Sequence, residues 1–580
     1  MKRLGIFQIV FVFVLLLLDY GNLCLAATKK AKDTGHVIRS ITVEVRDVFD
    51  EPDLGVFYRT ANNLKVTTRE KVIRRELIFR VGDVYDPFVI AESVRHLRAL
   101  SSIRDVKIKT TFEGQNVDIH VSVQDTWTLF PQITYSLGGG SDKQSIGIVD
   151  SNFLGEVKRV EFFYAQEENR EKIQGVYEDD LLFGTKNKLL LGQFFRSDGY
   201  RSVASLGKPF RSLVEDYAWI TNAESYDLVD KLHKNGDERY IFRHNHLDFN
   251  GGYTYSEGSP EKQLRRYTFG YDYMNDKFKE PSMNDYSDVE VDYDSVSHDP
   301  NMLPDERIFS GPFFSYRNIE PEFISLNHID KFERIQDFNL GLEYFAKIGY
   351  APELLGSRDS TMFLASSISH GYRLDTASFF RNSFSASSRV NTDNVTNVII
   401  GVEMKYYNYL GDRCFFGYPF GKHTIAGNFQ AYFTDNLDKD KEYLLGAFSG
   451  LRGYKDRTFS GQNYMLLNLE DRIFYVEDVL KLFSVGSAFF LDVGGTSNNG
   501  LGSIIENNLY GDIGFGLRIA FPRAAGSTVW RFDIAYPLRD GPDGSSQFKP
   551  RFLITIGQMF NGNLSTEAPE AKQAKVDVGF

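Results

Sequence analysis

The sequence predicts a membrane all-β protein, with a sixteen-stranded antiparallel transmembrane β-barrel that follows one small α+β domain. Three observations predict this class. An apolar run near the N-terminus is typical of exported proteins. Phe and Tyr are abundant, at 49 and 32 residues, yet mean hydropathy is −0.31 and no later stretch is apolar enough for a membrane helix. Short strand-like runs fill the chain from Pro131 to Phe560. Together these features fit a barrel with aromatic girdles and a polar lumen.

The N-terminus predicts export from the cytoplasm. Basic residues precede an apolar run, Ile6–Leu18, which is too short to span a bilayer comfortably but fits the core of a secretory signal. The small residue Ala26 lies where cleavage is expected, so residues 1–26 are assigned as a signal peptide. A lipoprotein signal acylated at Cys24 is the alternative, although Leu23 stands where that processing prefers a small residue.

Several function classes are disfavoured by composition and motifs. After signal removal Cys414 is the only cysteine, so no internal disulfide or cysteine metal site is expected. A net charge of −12 argues against a nucleic-acid partner. The sequence has no G-x-S-x-G elbow, P-loop or H-E-x-x-H motif, which predicts no enzymatic activity, no catalytic residues and no cofactor. His244 and His246 share one strand face, but without a third ligand we expect no metal site.

Residues 36–125 predict a compact domain in the order β-α-α-β-β. Alternating apolar residues indicate a first strand, and Asp86 followed by Pro87 indicates the capped start of the second helix. The predicted segments are a strand at Ile41–Val45, a loop at Glu51–Asn63, helices at Thr68–Arg80 and from Asp86 through Leu97, and strands around Val106–Ile108 and Val117–Val123.

Two phrases of this domain, RVGDVY at Arg80–Tyr85 and HLRAL at His96–Leu100, resemble the core sequence of a POTRA domain. POTRA domains belong to outer-membrane assembly proteins. The resemblance implies a periplasmic module that binds extended peptides by adding a strand to its sheet edge. A small α+β spacer without a partner fits the bare pattern equally well.

Residues 126–560 are assigned to the barrel and residues 561–580 to a polar tail, which we expect to be disordered in the periplasm. Membrane strands of about ten residues, with short turns and longer outer loops, divide the region into sixteen strands. The last strand places the apolar side chains of Phe552, Ile554, Ile556 and Phe560 on one face, which is predicted to point outward to the lipid. Its phrase TIGQMF resembles the β-signal of outer-membrane proteins. The residues of this closing strand are Phe552, Ile554, Ile556, Gly557 and Phe560.

The most specific motif is Leu451-Arg452-Gly453-Tyr454. It resembles the (V/L)RG(F/Y) motif in the inward-folded loop of the BamA/TamA-like superfamily of outer-membrane insertases. Further segments match that superfamily in order. They are DSNFLG (Asp150–Gly155), LLNLEDR (Leu466–Arg472), FFLDVGGT (Phe489–Thr496) and the hairpin Gly511–Leu538.

The resemblance implies that Arg452 pairs with Glu470 and Asp492 inside the barrel. A guanidinium between two carboxylates forms strong charge-assisted hydrogen bonds, and Gly453 would let the loop approach the wall closely. Whether these contacts fix the loop permanently or are released during function stays open.

The first barrel strand is predicted to be a poor partner for the last one. Pro131 lacks an N–H, and Gly138, Gly139 and Gly140 weaken the end of the strand. A weak junction would open sideways and template a client strand. The expected function is therefore assembly or insertion of proteins at the outer membrane, with the lipid bilayer and unfolded β-barrel clients as partners, and periplasmic chaperones or accessory subunits as further ones. A two-partner secretion channel and a lipid-handling or structural barrel are the alternatives.

Overall fold

A computed structural model describes residues 35–50, 55–136, 143–167, 170–415, 417–525 and 529–560. Three predictions lie outside these residues: the signal peptide at 1–26, the tail at 561–580, and Gly138, Gly139 and Gly140 of the first barrel strand.

The N-terminal domain is a three-stranded sheet with three helices. Its elements are β1 (Val37–Arg46), α1 (Val56–Leu64), α2 (Glu70–Glu76), α3 (Pro87–Ala99), β2 (Ile103–Glu113) and β3 (Asn116–Asp125). Strand β3 lies between the other two, parallel to β1 and antiparallel to β2. Alternate residues of β3, from Val117 to Val123, are buried in the core of the domain. The period-two pattern of this strand therefore locates the core.

Helix α3 begins where the sequence predicts. The Asp86 carboxylate accepts a hydrogen bond from the main-chain N–H of Phe88 at 2.8 Å, and Pro87 occupies the first turn. Leu97 is fully buried and Val94 packs against the same core. Local capping and the apolar stripe are enough to position this helix.

The loop predicted over Glu51–Asn63 is wrong in its second part, where α1 lies. This helix is positioned by contacts distant in sequence. The Asn62 side chain exchanges hydrogen bonds with the main chain of Phe49, at 2.7 and 3.3 Å. The Tyr58 hydroxyl donates to the carbonyl of Leu480 in the barrel at 2.7 Å. The described residues of the domain therefore contain three helices instead of the two predicted.

The helix predicted over Thr68–Arg80 is shorter, because α2 spans only Glu70–Glu76. The next residue, Leu77, has an extended backbone and a buried side chain in the domain core. Its apolar character fits either a helix face or an extended buried segment, so the period alone does not locate this boundary.

Twenty strands among the described residues close into a barrel, and consecutive barrel strands along the chain pair antiparallel. The last strand, β27 (Arg551–Ile556), lies beside the first, β4 (Leu129–Ser136), and we call this junction the seam. The barrel strands are β4 (Leu129–Ser136), β5 (Lys143–Asp150), β6 (Lys158–Glu167), β7 (Arg170–Asp179), β8 (Lys188–Arg196), β9 (Gly199–Lys208), β10 (Tyr217–Lys234), β11 (Asp237–Ser259), β12 (Gln263–Lys279), β13 (Arg307–Ile319), β16 (Glu343–Ala351), β17 (Thr361–Arg373), β18 (Ser378–Val390), β19 (Val395–Phe415), β20 (Tyr418–Asp435), β23 (Asn463–Val479), β24 (Phe483–Ser497), β25 (Tyr510–Ala520), β26 (Val529–Pro537) and β27 (Arg551–Ile556).

The connections between barrel strands contain the remaining elements. They are the hairpin β14 (Phe323–Leu326) and β15 (Gln336–Asn339), the hairpin β21 (Tyr443–Leu445) and β22 (Phe459–Gly461), and helices α4 (Met283–Asp288) and α5 (Leu501–Asn507). Among the residues that the structure describes, no helix has both the length and the apolar character needed to cross a membrane.

The predicted count of sixteen strands is wrong. Six strands, β4 to β9, lie between Leu129 and Lys208, and each is only eight to ten residues long. Their connections are correspondingly short. The prediction assumed that every strand pair has a long outer loop. It therefore underestimates how many strands the first part of the barrel contains.

The outer surface of the barrel is apolar and the inner surface is polar. On β11, Leu247, Phe249, Tyr253 and Tyr255 are exposed on the outside. Asp248, Asn250 and Thr254, which alternate with them, are partly buried. Outward apolar side chains alternating with inward polar ones are the pattern of a membrane barrel. The predicted fold class, a transmembrane β-barrel, is confirmed.

The N-terminal domain packs against one end of the barrel, which we call the domain end. Asn152, in the turn between β5 and β6, donates to the Thr68 hydroxyl at 2.9 Å. Arg211, between β9 and β10, forms an ion pair with Glu76 of α2. These contacts join the domain to turns at this end of the barrel.

The opposite end, the loop end, carries long connections between strands. Residues 280–306, between β12 and β13, contain α4. Residues 436–462, between β20 and β23, contain β21 and β22. Side chains of this second connection are buried against the inner wall of the barrel, and we call it the inward loop.

Candidate functional site

The LRGY motif lies at the innermost part of the inward loop. Strands β21 and β22 pair and hold the two ends of the loop together. Between them, Leu451 and Tyr454 are fully buried in an apolar cluster with Leu445, Phe459 and Leu466. The motif is thus held by packing as well as by charge.

Arg452 is enclosed between carboxylates on two neighbouring strands. Its Nε and Nη2 donate to the two oxygens of Asp492 on β24, at 2.7 and 2.8 Å. Its Nη1 donates to Oε1 of Glu470 on β23 at 2.8 Å. The guanidinium also stacks over the Phe490 ring, 3.5 Å from the ring centre. The structure therefore brings together the three side chains whose pairing the family resemblance implies, in a bidentate geometry.

Two further residues complete this site, and sequence reasoning missed both. Asn468 donates to Oδ1 of Asp492 at 2.7 Å and to the carbonyl of Gly450 at 2.9 Å. Asp533 on β26 places a carboxylate oxygen 3.6 Å from Nη1 of Arg452. Asn468 stands two residues before Glu470 on the same strand, so the alternation of inward side chains could have identified it.

Gly453 and Tyr454 bring the loop against β25. A Cβ atom on Gly453 would lie 2.7 Å from Cβ of Asp512, so only glycine fits without a shift. The Tyr454 hydroxyl contacts the carbonyls of Gly511 and Arg539 at 3.0 and 3.1 Å. The close backbone approach expected of Gly453 is therefore present in the geometry.

Glu470 also links the loop to the C-terminal end of the barrel. Its second oxygen accepts from Nε of Arg472 at 2.8 Å. Arg472 in turn donates to Asp330 at 3.0 Å and to the main-chain carbonyl of Phe560 at 2.9 Å. One carboxylate is thus shared by the arginine of the inward loop and by an arginine that holds the residues after β27.

The closing strand departs from its predicted pattern. Phe552 is 60% exposed on the outside, as expected, and Ile554 and Ile556 are partly buried. The strand ends at Ile556, and Gly557 has φ +94°. Phe560 is only 7% exposed and packs inside the lumen, so the predicted outward face for this residue is wrong. Positive φ at Gly557 breaks the alternation on which that prediction depended.

The seam joins the shortest strand of the barrel to another short one. Strand β27 has six residues and β4 has eight. Next to the seam, Trp127 forms a parallel bridge with Ala524 in the connection between β25 and β26. Its N–H donates to the carbonyl of Arg523 at 2.6 Å, and its carbonyl accepts from the N–H of Ala525 at 2.9 Å. The segment before β4 is therefore fixed to the barrel even where β27 ends.

Comparisons with known proteins gave matches only among solved structures. No protein-family model matches the chain, and no curated protein matches it. CdiB from Acinetobacter baumannii aligns over 90% of this chain and 73% of its own, at 11% identity and a TM-score of 0.43. CdiB from Escherichia coli aligns over 90% and 76%, at 11% identity and a TM-score of 0.43.

BamA from Haemophilus ducreyi lacking POTRA domains 1–3 aligns over 90% of this chain and 84% of its own, at 12% identity and a TM-score of 0.36. The chain is thus similar to BamA and CdiB barrels at low sequence identity.

Proposed function

We propose that this chain is an outer-membrane assembly factor of the BamA/TamA-like type, which inserts client β-barrels through a seam that opens sideways. In this proposal the N-terminal domain is a POTRA-like module in the periplasm. Client polypeptides and the lipid bilayer are the partners, and the activity needs no covalent step. The residues at and around the seam support it.

The observation that carries the proposal is the mismatch between the two seam strands. A six-residue strand cannot cover an eight-residue neighbour, and β27 ends at Ile556 because Gly557 leads the chain into the lumen. Part of the β4 edge therefore extends beyond β27. Such an edge is suited to accept a strand from a client by β-augmentation.

A continuous set of contacts connects the inward loop to this seam. Arg452 and Arg472 bind opposite oxygens of Glu470, and Arg472 also holds the carbonyl of Phe560 just beyond β27. Movement of the loop arginine would change the charge balance at Glu470 and hence the hold on the residues after β27. This supports a role for the LRGY loop in controlling the seam.

The barrel wall is lower at the seam than at β10, β11 and β12. Strands β10, β11 and β12 have 18, 23 and 17 residues, compared with six and eight at the seam. A shorter wall presents a shorter apolar band, and a bilayer adapts to such a mismatch by thinning. Thin bilayer beside the seam would lower the barrier to inserting a client strand.

Two turns near the seam add apolar surface at the domain end. Leu154 and Phe183 both have positive φ, 57° and 53°, and each is followed by a glycine with φ 74°. Phe183 is 93% exposed and Leu154 is also exposed. Apolar side chains displayed beside a lipid-facing wall favour contact with lipid.

The contents of the lumen favour assembly over a secretion channel. The inward loop enters from the loop end, and Asp330, between β14 and β15, reaches Arg472 from the domain end. The His328 carbonyl also accepts from Thr424 on β20 at 2.6 Å. A polypeptide channel would have to displace both segments, whereas a lateral seam leaves them in place.

The test is to lock the seam. Cysteines are introduced by Leu129→Cys and Ile556→Cys, at the domain ends of β4 and β27, in a Cys414→Ser background. A short bifunctional methanethiosulfonate reagent joins them reversibly. With the protein in liposomes, we expect the locked form to lose acceleration of folding of urea-denatured barrel clients, and a reductant to restore it.

The matched control locks β27 to its other neighbour. Phe532 and Ile554 lie directly opposite each other on β26 and β27, so Phe532→Cys with Ile554→Cys joins two strands that the proposal moves together. This variant should keep its activity when joined. Full activity of the locked seam would refute lateral opening, and ion conductance without any client acceleration would favour the channel.

A further inference from the structure

Two histidines that sequence reasoning left without a third ligand receive one in the fold. His244 and His246 lie on β11, and Asp276 lies on β12, directly opposite His246. Nε2 of His244 is 3.2 Å and Nδ1 of His246 is 2.5 Å from Oδ1 of Asp276. One ligand atom from each residue lies within 4.8 Å of the others. The three residues are 1%, 8% and 0% exposed.

Neighbouring residues fix the orientation of these groups. Oδ2 of Asp230 accepts from Nδ1 of His244 at 2.6 Å, so Nε2 of that ring is turned toward Asp276. Arg307 donates to Oδ2 of Asp276 from Nη2 and Nε, at 2.7 and 3.1 Å. Oδ1 is therefore the oxygen that faces the two imidazoles. A metal-binding histidine usually donates its other ring N–H to a carboxylate, and a metal-binding carboxylate usually accepts a hydrogen bond on its other oxygen.

We propose that His244, His246 and Asp276 bind one divalent transition-metal ion of the zinc type. Two imidazoles and a carboxylate are a donor set that zinc accepts, with a fourth position left for water. Bonds of about 2.0–2.2 Å in a tetrahedral site put ligand atoms roughly 3.3 Å apart. Nε2 of His244 and Oδ1 of Asp276 are already about this far apart. Nδ1 of His246 and the same oxygen reach this separation if they move apart by less than about 1 Å, which a small side-chain rotation allows.

The site lies next to a contact that holds the inward loop. Arg307, which binds the far oxygen of Asp276, also pairs with Asp438 and Asp440 of that loop, each at 2.7 Å. A bound dication would draw the charge of Asp276 toward itself. Arg307 would then be biased toward the loop carboxylates, so metal binding would tighten the loop at the loop end of the barrel.

The experiment uses the full chain in detergent micelles, stripped with a chelator and then equilibrated with zinc. Metal content after gel filtration should be one zinc per chain. Cobalt in place of zinc should give the intense visible absorption of a four-coordinate nitrogen–oxygen site. His246→Ala should weaken zinc binding at least tenfold, and Asp230→Asn should weaken it by a smaller factor.

His120→Ala is the matched control, because His120 is a partly exposed histidine that contacts Glu44 in the N-terminal domain. This variant should bind zinc like the unmodified chain. The heat-induced shift in gel mobility verifies that each variant is a folded barrel, and the cobalt spectrum of the unmodified chain is independent of the variants. Absence of stoichiometric zinc, or equal binding by His246→Ala and His120→Ala, would overturn the proposal. The three side chains would then form only a hydrogen-bonded network.

Discussion

Ion pairs hold the inward loop at two places. The arginine belongs to the loop at one of them and to the barrel wall at the other. At its innermost point the arginine belongs to the loop, and Arg452 binds the wall carboxylates Glu470 and Asp492. At the loop end the arginine belongs to the wall, and Arg307 on β13 binds the loop carboxylates Asp438 and Asp440. The same loop thus presents a cation to one part of the lumen and anions to another.

The two contacts differ in their access to water. Arg452 and its two partners are completely enclosed, whereas the side chains of Arg307 and Asp438 keep 9% and 14% of their exposure. A buried pair loses more when one partner is removed, because the remaining charge is left without water or a counter-charge. We therefore expect the inner contact to contribute more to the stability of the loop than the outer one.

The largest effect should come from Arg452→Ala. This change removes the cation from buried Asp492 and leaves Glu470 paired with Arg472. Removing one partner of a buried ion pair costs about 3–5 kcal/mol. Urea unfolding in micelles measures the loss, and hydrogen exchange should increase across residues 436–462. The exposed arginine Arg413 is the control, since Arg413→Ala should change the free energy of unfolding by less than about 0.5 kcal/mol.

A smaller loss is expected from Arg307→Ala. Asp438 keeps 14% of its side-chain exposure. Asp276 is enclosed, but it keeps His244 and His246 as hydrogen-bond partners when the arginine is removed. A hydrogen bond to a charged group contributes about 1.5–3 kcal/mol. The same urea titration measures it, in the presence of a chelator so that metal binding does not contribute. Hydrogen exchange should increase mainly around Asp438 and Asp440. If Arg307→Ala lowers the free energy of unfolding as much as Arg452→Ala or more, burial does not determine which of the two contacts is stronger.

The sequence predicts the inner contact and misses the outer one for a physical reason. Arg452 lies in a contiguous motif, and Glu470 and Asp492 lie in segments that resemble the strands following that loop. Arg307 and Asp440 are far apart in sequence, and each is an ordinary charged residue near a strand end. Only the closure of the barrel makes them neighbours.

The closing strand marks another limit of sequence reasoning. Alternation along Phe552, Ile554 and Ile556 agrees with one outward face up to the end of β27. A single residue with positive φ, Gly557, then redirects the chain and buries Phe560 in the lumen. Glycine permits such a turn without requiring it, so the residue type alone does not distinguish the two outcomes.

A third charged contact sharpens the comparison, because it joins the N-terminal domain to the barrel instead of holding a loop. Glu76 of α2 pairs with Arg211 of the barrel and accepts a hydrogen bond from His96 at 2.6 Å. Burial of the carboxyl works to raise its pKa, but the His96 hydrogen bond and the Arg211 charge outweigh burial and lower the pKa below its ordinary value of 4.5. The contact should therefore stabilise docking fully above pH 4.5 and lose this contribution as the pH falls through the lower folded pKa.

The smallest of the three effects is the change in this pH profile in Glu76→Gln. Trp127, at the junction of domain and barrel, reports docking by fluorescence in a background where the other two tryptophans are replaced by Trp219→Phe and Trp530→Phe. The protein with Glu76 in this background should lose docking stability on acidification below about pH 4.5. With Glu76→Gln, docking should be weaker at neutral pH and should change less with pH in this range. Glu70→Gln is the matched control, because Glu70 is an exposed residue of the same helix that pairs with Arg74. An identical acid profile in the Glu76 and Glu70 variants would mean that docking does not depend on the Glu76 carboxylate.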